Sequence, residues 1–159
     1  MPELPWTAAP GADPSHDEVV VMASLLRLRS VRRVPRFLRS ALAIRRQVLR
    51  ADGALGVALN TALPRTFFTL SAWRDGDALN AFVRSEPHLS SMRRYRPAMT
   101  DARFVFWSSP ADSLPPPWSE AQQRLSELPT ATLDVMPTLP PCTRAHCRLQ
   151  EWPRPPIPN

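Results

Sequence analysis

A mixed α+β fold built on one antiparallel sheet is predicted by three observations. Four short runs rich in Val, Leu and Phe, at residues 19–28, 54–60, 65–73 and 102–109, have the length and composition of strands. Two longer stretches, 31–49 and, in two pieces, Asp75 to Tyr95, repeat apolar residues at helical spacing. Proline is concentrated in the flanks, with 16 of the 20 Pro before Glu18 or after Ser109.

Residues 1–17 read as a flexible N-terminal arm, punctuated by Pro2, Pro5, Pro10, Gly11 and Pro14. The first strand, VVVMASLLRL, follows. Ser30 is placed to cap the helix that comes next, and Pro35 sits in its first turn, where a missing N–H costs little. Val34, Phe37, Leu38, Ala41, Ile44 and Val48 form that helix's apolar stripe. Ala51-Asp52-Gly53 ends it.

Two strands flank Pro64. In the second of them Phe67, Thr69, Ser71 and Trp73 share one face, with Phe68, Leu70 and Ala72 on the other. Asp75 suits the N-cap of the second helix, and Pro87 starts a further helical piece carrying His88, Met92 and Tyr95 along one side. After the fourth strand, residues 111–128 hold a Pro115-Pro116-Pro117 spacer and a short helix from about Trp118. Residues 129–159 read as a Pro-rich, disordered tail.

The order of elements at 18–110 is that of the ferredoxin-like βαββαβ fold: a four-stranded antiparallel sheet with both helices on one face. The strands are apolar on both faces, so the second face needs a cover. A second copy of the same sheet is the expected one, giving a homodimer.

Composition removes several function classes. The 159 residues suffice for one domain with a core. No apolar run reaches the roughly 18 to 20 residues of a membrane helix. Met1 to Glu18 has neither a basic nor an apolar signal region, and two Cys cannot scaffold a chain of this size, so a cytoplasmic protein with reduced thiols is expected. Cys142, His146 and Cys147 do not match a tetrahedral metal spacing, and no metal is expected. Nucleotide-binding and hydrolase motifs do not occur.

All 20 basic residues are Arg, the net charge is +6, and nine Arg with no acid lie between Arg27 and Arg50. GC-rich coding accounts for the missing Lys. The cluster lacks interleaved aromatics or any helix-turn-helix pattern, so a solvated helix face is favoured over a nucleic-acid surface.

The segment Phe67 to Tyr95 carries a resemblance. A strand ending in Trp73, a charged turn at Arg74-Asp75, an amphipathic helix from Ala78 to Val83, then Ser85 and His88 after a Pro resemble the dimeric α/β-barrel superfamily. Within it they are most similar to the antibiotic-biosynthesis-monooxygenase-like proteins. The resemblance extends over about residues 18–110. It implies a homodimeric barrel with a pocket between sheet and helices, and a fold that serves cofactor-free oxygenases, haem proteins and proteins without known activity. Haem-degrading members place an axial His about four residues beyond the position of His88. Here that residue is Met92, a weaker choice for oxygen activation. No organic cofactor is expected, with haem left open.

His88 is the candidate catalytic base, able as neutral imidazole to take a phenolic or enolic proton. The competing reading is a His that only bonds nearby backbone. Trp73, Phe82, Met92 and Tyr95 are candidate walls for an aromatic ligand. Arg45, beside Ala41 and Val48, and Arg94 are candidate anion stabilisers; an Arg on an apolar stripe is costly unless paired or extended to the rim. Thr69 and Ser71 are candidate polar contacts. The functional expectation is a monooxygenase-like enzyme acting on an aromatic or polyketide-like metabolite. Alternatives are a non-catalytic ligand-binding or assembly module of the same fold, and a haem enzyme.

Overall fold

The computed structural model describes residues 4–13, 17–62 and 64–128. The expected tail at 129–159 lies outside the described residues, as do Cys142, His146 and Cys147.

Among the described residues, five strands and four α-helices follow in order: β1 (Leu4–Ala8), β2 (Glu18–Leu28), α1 (Val34–Val48), β3 (Ala54–Ala62), β4 (Thr66–Trp73), α2 (Gly76–Val83), α3 (His88–Tyr95), β5 (Met99–Pro110) and α4 (Trp118–Ser126). The sheet order is β1-β3-β4-β2-β5 with every pairing antiparallel. Its last four strands have the ferredoxin-like arrangement expected from the element order.

Local signals set the helix starts. The Ser30 hydroxyl accepts from the Arg32 N–H and caps a single turn of 3-10 helix, Val31–Arg33, that leads into α1. Asp75 caps α2, its carboxylate accepting the Ala78 N–H at 2.8 Å. Burial pushes the Asp75 carboxyl up, but that N–H and the neighbouring Arg74 outweigh it and hold the group below its usual value. Its stabilising effect is therefore present above the unfolded carboxylate range and lost as pH falls through the folded value. Asp75→Ala is expected to cost about 0.5–2 kcal/mol at neutral pH. Denaturant unfolding at pH 7 and again in acid, where the difference shrinks, checks it. Gly53, at φ +74°, turns the chain out of α1 and lets the Arg74 N–H reach its carbonyl at 2.7 Å.

Two findings correct the expected architecture. First, the sheet has five strands, not four, because part of the supposed flexible arm is β1. Thr7 and Ala8 pair with Val57 and Gly56 of β3, and the Ala9 N–H reaches the Leu55 carbonyl at 3.0 Å. Pro5 is tolerated because β1 is an edge strand. Gly56 is what admits Trp6: a Cβ there would run into the indole ring.

Second, this chain covers the outer sheet face itself. Val19, Val21 and Ala23 of β2, Leu70 and Ala72 of β4 and Trp107 of β5 form one buried cluster with Ala121 and Leu125 of α4. Trp6, Leu114 and Trp118 pack around it. Arg103 on β5 ties α4 down: it pairs with buried Asp101 at 3.0 Å and donates to the carbonyls of Leu125 and Leu128 at the helix end. Ala111, Leu114, Trp118, Ala121 and Leu125 thus pack on the face for which a second copy was expected as cover. Among the described residues, no helix is long and apolar enough to cross a membrane.

Candidate functional site

The inner face of the sheet and the three helices α1, α2 and α3 enclose a cavity of about 330 Å³. Its floor includes Met22, Ser24 and Leu26 of β2 and Phe67, Thr69 and Ser71 of β4. α1 roofs it with Phe37, Ala41, Ile44 and Arg45, while Phe82, His88, Met92 and Tyr95 form a side wall. Leu42 lines the cavity yet is 43% exposed, which marks the rim. The space is bounded mostly by carbon, so it suits a flat apolar molecule held by a few polar groups.

His88 opens α3 at the point where α2 has ended. It is 8% exposed and its ring packs on Phe82 at 4.9 Å between centroids. Nδ1 lies 3.0 Å from the Val83 carbonyl. A carbonyl only accepts, so Nδ1 carries the proton and Nε2 carries the lone pair. Burial lowers the His88 pKa from its usual 6.5, and the Val83 carbonyl and Glu86 only partly oppose that. The ring is therefore neutral at pH 7, in the form a general base needs. Gln47 on α1 fixes the start of α3: its Oε1 accepts the His88 backbone N–H at 3.1 Å, and its Nε2 donates to Ser85.

The other expected site residues divide. Phe82, Met92, Tyr95, Thr69, Ser71 and Arg45 come together around the cavity. Trp73 does not line it. It is fully buried behind Phe82, with ring centroids 4.8 Å apart, and its indole N–H donates to Ser71 at 3.0 Å. Arg94 is exposed and is not among the residues around the cavity; α3 turns it to solvent while His88 and Tyr95 are buried. Thr69 shares a short hydrogen bond with Ser24, 2.5 Å between oxygens, so both floor hydroxyls have a partner. The Tyr95 hydroxyl meets Ser40 of α1 at 3.1 Å.

Arg45 is the polar group with spare capacity. Its Nη2 donates to Thr7 Oγ1 of β1 at 2.6 Å. Its Nε is buried and has no hydrogen-bond partner among the described residues. Leaving a buried donor unsatisfied costs about 1–3 kcal/mol, and more when charged. The sequence offered no sign of Ser24, Ser40, Thr7 or Gln47, because each acts through a partner at least 38 residues away in the chain.

The same fold occurs in solved structures. SnoaB, a cofactor-independent oxygenase from Streptomyces nogalater, matches with a TM-score of 0.52 at 16% identity, over 63% of this chain and 99% of that one. An antibiotic biosynthesis monooxygenase homologue from Nitrosomonas europaea matches at TM-score 0.54 and 14% identity, over 62% and 92% of the two chains. One from Deinococcus radiodurans matches at 0.51 and 15%, over 55% and 89%. The fold is thus that of the antibiotic-biosynthesis-monooxygenase-like proteins, a ferredoxin-like α/β-barrel class. No curated protein matches the chain. The family described as "Domain of unknown function (DUF3291)" matches residues 40–132, and the chain belongs to that family.

Proposed function

We propose that this protein is a cofactor-free oxygenase of a flat aromatic or polyketide-like metabolite, with His88 as the base. One observation carries the reading: a buried, neutral His88, fixed in a single tautomer by Val83, lines a cavity walled by Phe37, Phe67, Phe82 and Tyr95. That the fold also serves SnoaB, a cofactor-independent oxygenase, supports the class of chemistry.

The steps balance with dioxygen as the oxidant. His88 Nε2 takes the proton of a hydroxyl conjugated with an activated ring carbon. The resulting carbanion bonds to dioxygen through that carbon and, by way of a hydroperoxide, reduces it. His88 returns that proton to the terminal peroxide oxygen; the hydrogen still on the ring carbon then leaves with the terminal OH as water, so that the C–H and O–O bonds break and a carbonyl remains on the carbon. The substrate supplies all four electrons that dioxygen accepts, two for the carbonyl oxygen and two for the water, so no organic cofactor is consumed. Apolar walls favour this chemistry, because they limit solvent protonation of the carbanion.

Oxygen uptake by the purified protein with phenols and anthrones tests the proposal. Uptake is expected without added flavin, haem or metal, with one carbonyl product per dioxygen. No uptake above the rate of the buffer alone would sink it. A Soret band together with activity only after haem addition would replace it with the haem reading.

A further inference from the structure

We propose that Arg45 makes the cavity selective for a planar aromatic anion, its guanidinium receiving an anionic oxygen substituent such as a carboxylate or enolate, with Thr7 of β1 as the positioning residue. The inference rests on the reading of the cavity as the substrate site.

Three observations carry it. Arg45 lines a mostly apolar cavity, where an unpaired guanidinium is expensive. Its buried Nε has no acceptor among the described residues, so the hydrogen-bonding capacity of the guanidinium is not used up by the protein. Its Nη2 is tied to Thr7 at 2.6 Å, which keeps the long side chain from swinging to the rim. Nothing acidic is paired with it: the acids in ion pairs among the described residues are Asp52, Asp75, Asp101 and Glu120, all with other arginines.

The position also separates two ends of the ligand. Gln47, which holds the start of α3 and His88, stands two residues beyond Arg45. Residues two apart on a helix project from nearly opposite sides. Arg45 therefore serves the β1 side of α1, and His88 the α3 side. The substrate class is then an aromatic compound whose anionic group is remote from the hydroxyl that His88 deprotonates.

Two fluorescent probes test this without turnover. Anilinonaphthalenesulfonate is an aromatic anion with a planar naphthalene ring, and phenylnaphthylamine is its uncharged counterpart. Arg45→Met is expected to weaken the sulfonate about 10- to 100-fold, the range of a charge-assisted hydrogen bond, and to leave phenylnaphthylamine binding unchanged. Thr7→Val is expected to weaken the sulfonate selectively, and Thr7→Ser to restore it. Arg39→Met removes an exposed charge of the same helix and is expected to change neither probe. Equal weakening of both probes in Arg45→Met and Thr7→Val, no weakening of the sulfonate, or an equal effect of Arg39→Met would overturn the proposal. His88→Ala is expected to keep the sulfonate affinity. If that variant also kept oxygenase turnover, the catalytic reading would fail and the anion site would stand.

Discussion

His88→Ala is expected to lower turnover about 10²- to 10⁴-fold, the usual contribution of a positioned general base. The substitution also removes the ring that packs on Phe82, so His88→Gln is the companion variant. It refills part of the space and has no basic nitrogen. Both variants should lose the reaction, while bound phenylnaphthylamine should still fluoresce. Unchanged oxygen uptake in either would take His88 out of the mechanism.

The pH dependence has a definite sign. Burial holds the folded His88 pKa below 6.5. The active form is neutral, so the rate rises with pH through that lowered value. It is then flat across pH 7 and falls only on acidification. Stability moves the same way. The unfolded chain binds a proton on this His at a higher pH than the folded chain does. Acid below about 6.5 therefore destabilises the fold, and above that value the contribution disappears. A rate profile centred above 6.5 would mean that a different group is the base.

Leu125→Ala is expected to destabilise the protein by about 2–5 kcal/mol, the range for a buried Leu truncated in a packed core. Leu125 is 1% exposed and meets the outer-face cluster of Val21, Ala23, Leu70 and Trp107. The expected fall in Tm is on the order of 10 °C or more. A change of only a degree or two would show that α4 contributes little to the core. Deleting residues 115–128 is expected to do more. It uncovers an apolar sheet face that a soluble chain rarely exposes. Sedimentation of the shortened chain should then show larger assemblies than the intact chain forms at the same concentration. The cavity lies on the opposite face of the sheet, so probe binding in Leu125→Ala should survive below its Tm.

Much of the fold was legible in sequence because its signals are local. Period-two alternation in β4 puts Phe67, Thr69 and Ser71 on the cavity side and Leu70 and Ala72 in the outer-face cluster, as expected. Ser30 and Asp75 start their helices through bonds to residues two and three positions on. β1 was not legible in this way. Five residues broken by a Pro carry no strand signal of their own, and their pairing comes from the edge of β3 and from the space above Gly56. The site divides along the same line. His88, Phe82, Tyr95 and Met92 stand at fixed spacings along α2 and α3, so a pattern of residues could point to them. Arg94 and Trp73 have the right residue types, but helix phase turned one to solvent and a second layer of packing set the other behind Phe82.

The amino-acid sequence by itself determined the order of elements from β2 to α4, the two faces of β4, the helix caps and a candidate base in an aromatic setting. Each of these depends on neighbours within a turn or a pleat. Only the tertiary structure decided which His88 nitrogen is free, that Arg45 has a buried donor with no acceptor, and that α4 rather than an uncovered sheet forms the outer layer. Those are properties of groups far apart in the chain. Their energies depend on burial and on the partner that folding brings within about 3 Å, and residue order alone does not specify either.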